Sequence, residues 1–102
     1  MINVNDLNFK EEVLENKGFT MVDFYANWCG PCKTFSPIFE EFANENQDIK
    51  CVKVNVDETT IARQYKIMSI PTILLFYNGE ICDRFIGVMQ KRDLLEFVNK
   101  NK

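Results

Sequence analysis

A mixed β-sheet packed between helices is the fold class that this 102-residue sequence predicts. Three observations predict it. Short, apolar, β-rich runs alternate with segments of helical periodicity. The dipeptide Asn78-Gly79, the strongest short hairpin signal, joins the last two β-rich runs. A hydrophobic content of 46% with nine Phe is enough for a core without disulfide staples or a structural metal. The length suits one domain spanning residues 1–102 and is too short for two.

The elements are taken in chain order. Ile2 and Val4 alternate with polar residues as a short edge strand. Asn8, three residues before Glu11, is a helix-start signal related to the capping box. Phe9, Val13 and Leu14 keep helical spacing up to Gly18, a C-terminal stop. Thr20–Tyr25 is a run of buried-strand type. From Cys29 to Asn46, Phe35, Ile38, Phe39, Phe42 and Ala43 form one apolar stripe on a helix. Pro37 falls inside it and is expected to kink it. Ile49–Val56 alternates as a strand, Ile61, Ala62 and Tyr65 mark a short helix, and Ser69–Thr72 is a loop. Ile73–Tyr77 is a buried strand, and the hairpin leads into Ile81–Ile86, which Gly87 ends. Lys91–Asn101 closes the chain as an amphipathic helix carrying Leu94, Leu95, Phe97 and Val98. The order is β-α-β-α-β-α-β-β-α. Strands separated by helices are expected to pair in parallel, and the final hairpin to be antiparallel.

Composition removes whole function classes. With no His, Ser-His-Asp triads, Cys-His pairs and His-bearing zinc sites are excluded. A net charge of −3 argues against a nucleic-acid partner, which calls for a basic patch. The longest apolar run, Ile73–Tyr77, is far too short to span a membrane. The N-terminus lacks a basic start followed by an apolar stretch. The expectation is a cytoplasmic protein with no nucleic-acid or membrane partner, working as a monomer.

The chemistry concentrates in Trp28-Cys29-Gly30-Pro31-Cys32-Lys33. Two Cys separated by two residues can close a small disulfide ring, and here they open a helix directly after a buried strand. Unpaired N–H groups and about half a positive charge at a helix N-terminus stabilise a thiolate. Cys29 is nearest that end and is expected to be the more acidic, attacking thiol. Cys32, one turn inward and more buried, is expected to resolve the mixed disulfide. Pro31 suits the first helical turn, where its missing N–H costs nothing. A Cys₄ zinc site would need a second close pair, and Cys51 and Cys82 are far apart. Both of these lie in strand patterns and are read as core residues.

The segment VDFYANWCGPCK resembles the active-site signature of the thioredoxin family. The resemblance extends over the whole chain: KVNVDE at Lys53–Glu58, SIPT at Ser69–Thr72, FYNGE at Phe76–Glu80 and FIG at Phe85–Gly87 fall in the family's order. It implies the thioredoxin fold, a central mixed sheet of five strands flanked by four helices, with a cis peptide at Ile70–Pro71. By matching position, Asp23 is similar to the family's buried carboxylate beneath the resolving cysteine and Lys53 to its lysine neighbour. The alternatives are an ordinary strand acid and a surface lysine; an acid in an otherwise apolar strand is costly without a task. Gly30 and Pro31 match the motif, and Trp28, Ile70, Pro71 and Gly87 match the substrate groove, with Trp28 as core packing the alternative there. A substrate chain is expected to pair its backbone at Ile70 by strand addition. Tyr25 stands where many relatives have Trp and Ser69 where many bacterial members have Gly, departures that bear on partner preference.

The activity implied is general protein-disulfide reduction by a reversible Cys29–Cys32 dithiol. The carrier binds no cofactor and no metal, and NADPH supplies its electrons through a flavin-dependent thioredoxin reductase. Two other readings are a dedicated redox partner of one pathway and a thioredoxin fold serving as a non-catalytic binding subunit. Gly-Pro between the cysteines is the family's reductase type; its oxidants and isomerases carry His there, and this chain has none.

Overall fold

The computed structural model describes all residues 1–102 and contains one sheet of five strands. These are β1 (Ile2–Asn3), β2 (Phe19–Tyr25), β3 (Lys50–Asn55), β4 (Thr72–Tyr77) and β5 (Glu80–Ile86), in the spatial order β1-β3-β2-β4-β5. The helices are α1 (Gly30–Glu45), α2 (Ile61–Gln64) and α3 (Lys91–Asn99). The fourth helical element is a single π-helical turn at Lys10–Leu14, in which the Glu15 amide donates to the Lys10 carbonyl at 2.9 Å.

Side-chain alternation along the strands separates two apolar layers. Val22, Phe24, Val52, Val54, Leu74 and Phe76 pack with Phe9, Val13 and Ile61 on one face. Met21, Ile73 and Leu75 pack on the other face, against Phe35, Phe39 and Phe42 of α1 and Leu94, Phe97 and Val98 of α3. The apolar stripe of α1 thus covers the sheet, and each of its three Phe is fully buried. Truncating such a residue to Ala costs about 3–5 kcal/mol. The helix continues through Pro37, whose missing N–H leaves only the carbonyl of exposed Lys33 without its helical donor.

Three expectations are corrected. β1, β3 and β2 are parallel, but β4 runs antiparallel to β2 although a helix precedes it. The four residues of α2 span about 6 Å, whereas a six-residue strand spans about 20 Å. The connection between β3 and β4 has no long helix to return it along the sheet and stays at the end where β3 left, with Asn55 opposite Tyr25 and Thr72 opposite Phe24, so β4 enters from that end. The first helical segment is capped by Asn5, not Asn8: Asn5 Oδ1 accepts from the amides of Leu7 (2.9 Å) and Asn8 (3.2 Å), and Asn8 Oδ1 accepts from the Asn5 amide at 2.7 Å. This is a reciprocal box one turn earlier than the Asn8–Glu11 spacing suggests. Cys82 is exposed and Cys51 is half-buried. β5 is an edge strand, and its register shifts so that Leu75 faces Asp83 while Phe76 faces Ile81, leaving Cys82 in a bulge.

The hairpin is tied to the start of β2. Asn78 Oδ1 accepts from the Gly18 amide at 2.7 Å, and the Asn78 amide donates to the Gly18 carbonyl at 3.0 Å. Gly79 has φ +83°, and a Cβ there would run into the Leu14 carbonyl. Gly79→Ala is therefore expected to lower stability by at least about 1–2 kcal/mol. Gly30→Ala, which meets nothing within 4 Å, is expected to be neutral; urea denaturation of the two variants side by side checks the contrast.

Candidate active site

β2 is buried from Thr20 to Phe24 and leads within four residues to Cys29, which is the N-cap of α1. Cys29 has extended backbone angles (φ −88°, ψ 113°), and its sulfur accepts from the Cys32 amide at 3.2 Å. That amide is one of the unpaired donors of the helix start, and it points at the sulfur that would carry negative charge on reduction. Cys29 and Cys32 form a disulfide with their Cα atoms 5.3 Å apart. Gly30 and Pro31 occupy the first two helical positions and are exposed. Burial hardly separates the two cysteines, at 5% and 3% exposure. Position separates them: Cys29 lies at the helix end, its sulfur 3.8 Å from the Ile70 carbonyl oxygen.

Around the disulfide two hollows open. One, of about 150 Å³, is lined by Tyr25, Ala26, Asn27, Cys32, Lys33, Ser36 and Lys53. The other, about 480 Å³ and largely apolar, is lined by Trp28, Val56, Ile67, Met68, Ser69 and Ile70. Trp28 is 71% exposed, which removes the core-packing alternative. Its indole N–H donates to Asp57 Oδ2 at 2.8 Å, fixing the ring at the mouth of the apolar hollow. The Ile70–Pro71 bond is cis. Pro71 is buried, and its carbonyl accepts from the Gly87 amide at 2.9 Å. Gly87, at φ +116°, is thus tied to the Ile70–Pro71 loop by its backbone and is not among the residues lining either hollow.

Asp23 is completely buried, and neither carboxyl oxygen has a hydrogen-bond partner. Burial pushes its pKa up from 3.8 to about 7, against the opposing pull of Lys53. Lys53 is half-buried, opposite Asp23 in the β2–β3 register. Its ammonium donates to Ser36 Oγ at 3.0 Å and lies 4.6 Å from the centroid of the Tyr25 ring. The structure therefore brings Cys29, Cys32 and Ile70 together at the disulfide, and sets Lys53 beside Cys32 in the smaller hollow. Sequence reasoning missed Asp57 and Ser36. Asp57 lies within the KVNVDE landmark, and Ser36 lies four residues after Cys32, on the same helical face; neither spacing announces a partner.

The other thiols are less acidic than an ordinary cysteine. Burial pushes Cys51 up to about 12. Burial and, secondarily, the Asp83 carboxylate raise Cys82. No group of three or more His, Cys, Asp or Glu side chains is arranged to hold a metal ion, and no helix is long and apolar enough to cross a membrane.

A family model described as Thioredoxin matches residues 1–100. The chain is 52% identical over 101 residues to a thioredoxin of Rickettsia prowazekii and 50% identical over 101 residues to one of Rickettsia typhi. Each alignment covers 97% of this chain and 96% of the relative. A chloroplastic M-type thioredoxin of Chlamydomonas reinhardtii is 46% identical over 99 residues, covering 95% of this chain and 71% of that protein.

The orphaned carboxyl makes stability depend on pH. Between the unfolded value of 3.8 and the folded value near 7, the folded state binds more protons than the unfolded, so stability falls as pH rises. Above the folded pKa the whole penalty is present, on the order of 4 kcal/mol by linkage. Asp23→Asn, which cannot ionise, is expected to be more stable than the parent by several kcal/mol at pH 8. At pH 4 the two are expected to match. Guanidinium denaturation at both pH values checks this, and a less stable variant at pH 8 refutes it.

Proposed function

Given that this chain belongs to the thioredoxin family and is a thiol–disulfide oxidoreductase, we propose that it is a general protein-disulfide reductase, acting as one domain over residues 1–102. Cys29 is its attacking thiol and Cys32 its resolving thiol. The observation that carries the assignment is the Cys29 sulfur at the N-cap of α1, accepting from the Cys32 amide. Donors aimed at that sulfur stabilise its thiolate, whereas Cys32 lies inside the helix and relies on a neighbouring base.

The Cys29 thiolate attacks one sulfur of a substrate disulfide. A Cys29–substrate bond forms, the substrate S–S bond breaks, and the departing thiolate takes a proton from water. Cys32 then gives its proton to the Asp23 carboxylate, directly or through water in the hollow shared with Lys53. The Cys32 thiolate bonds to Cys29 Sγ and expels the second substrate thiolate. An acid whose pKa lies near 7 is a far stronger base toward a thiol than an ordinary carboxylate. Trp28, Ile70 and Pro71 form the substrate side of the site, with Gly87 bracing the loop. The apolar hollow at Trp28 suits a side chain next to the substrate cysteine, and the Ile70 backbone suits strand addition.

Electrons come from NADPH through a flavin-dependent thioredoxin reductase, and the chain works as a monomeric carrier in the cytoplasm. Free Cys51 and Cys82 suit a reducing compartment.

Insulin reduction driven by NADPH and a thioredoxin reductase tests the activity; no turnover under these conditions refutes it. With the reduced protein at pH 7, iodoacetamide is expected to modify Cys29 at least about tenfold faster than any other thiol, on the basis of its thiolate fraction. Cys32→Ser is expected to accumulate mixed disulfides with substrate, and Cys29→Ser to accumulate none. Equal labelling of Cys29 and Cys32 refutes the assignment.

A further inference from the structure

Asp23 and Lys53 are partners in adjacent parallel strands, and paired positions share one face of a sheet. Opposite charges so placed would be expected to close an ion pair, yet neither Asp23 oxygen finds any hydrogen-bond partner. The lysine is held elsewhere. Its ammonium donates to Ser36 Oγ at 3.0 Å and rests 4.6 Å from the Tyr25 ring centroid. Ser36 projects from α1 one turn beyond Cys32, and Tyr25, Cys32, Ser36 and Lys53 line the same hollow.

We propose that Ser36 is a positioning residue: its hydroxyl, with the Tyr25 ring, anchors the Lys53 ammonium in the wall of the hollow and off the Asp23 carboxyl. The carboxyl thereby keeps a high affinity for the proton it exchanges with Cys32, a consequence that rests on the reading of Asp23 as the base of the resolving step.

The surroundings of Asp23 offer nothing else to set that affinity. β3 contributes Lys53, and β2 contributes Tyr25 two positions along the same face. β4 brings apolar Ile73 opposite. α1 brings Cys32, Lys33 and Ser36 to the hollow, with Lys33 exposed. α3 covers this face with Leu94, Phe97 and Val98. Burial raises the Asp23 pKa and Lys53 is the one opposing influence, so the position of the ammonium governs the balance. Coulomb attraction rises as separation falls and is strongest where water is excluded. A lysine released from its anchor would drop toward the buried carboxylate, stabilise its charge and weaken it as a base.

The test titrates Asp23 in the oxidised protein by NMR of its side-chain carboxyl carbon. The variants are Ser36→Ala, Ser36→Thr, Lys53→Met and the Ser36→Ala/Lys53→Met pair. Ser36→Ala suits a helix interior, so folding is not at issue. It is expected to lower the midpoint by about one pH unit or more, the scale of an adjacent cation's effect on a carboxyl. Ser36→Thr, which keeps the hydroxyl, is expected to match the parent. Lys53→Met is expected to raise the midpoint, and the double variant to match Lys53→Met alone. An unchanged midpoint in Ser36→Ala overturns the proposal. So does an equal drop whether or not Lys53 is present. Stopped-flow resolution of a Cys29 mixed disulfide at pH 7 separates this inference from the one beneath it. A lowered midpoint with resolution at the parent rate upholds the positioning role and refutes Asp23 as the base.

Discussion

β2 is hydrogen-bonded along both edges, to β3 on one side and β4 on the other, and is covered by apolar layers on both faces. The rest of the molecule depends on that constraint. A strand held on four sides cannot shift register without moving its whole apolar set to the wrong layer. The chain leaving such a strand is therefore placed with the precision of the core. That chain carries the disulfide: four residues after β2 ends, Cys29 caps a sixteen-residue helix whose Phe35, Phe39 and Phe42 are packed on the same sheet. The disulfide is in effect an extension of the sheet's central strand, and the Ile70 loop and Val56, just past β3, are brought to it from elsewhere.

The same strand carries the one group that the core does not satisfy. An unpaired carboxyl under an apolar layer is expensive, and native structures leave few such groups without a reason. Asp23 is stored free energy: the fold gives up stability at neutral pH to keep this carboxyl buried and without a partner, a cost that the proposed proton exchange with Cys32 would account for. Lys53 moderates that cost without abolishing it, because its ammonium is satisfied by Ser36 and Tyr25.

Much of this was legible in the sequence, for identifiable reasons. Short apolar runs of buried-strand type located β2 and β4, period-two alternation located β3, and the apolar stripe of Phe35, Phe39 and Phe42 located α1, because each of these patterns records burial directly. The Asn78-Gly79 turn was readable because its geometry, with φ of 50° and 83°, admits few other residues. The antiparallel entry of β4 was not legible. The short helix there was read, but residue pattern does not say at which end of the sheet the connection from Asn55 to Thr72 returns the chain. Cys82 was misread because Ile81–Ile86 reads as a strand, and a strand pattern says neither where the sheet stops nor where its register slips. At the site, the cysteines, Trp28 and the proline loop were evident from motif. Asp57 and Ser36 were hidden because their partners, Trp28 and Lys53, are 29 and 17 residues away in the chain.

The bulge at Cys82 also decides where the sheet can grow. An open sheet ends in two rows of unpaired backbone groups, each a template for another strand. Here one border is β1, only two residues long. The other is β5, irregular in register at Cys82 and charged at Glu80, Asp83 and Arg84. Neither border offers a long, flat, apolar rail for a second copy to zip onto. Exposed Ile81 and Ile86 thus lie on a border whose slipped register and charges work against pairing with a further strand.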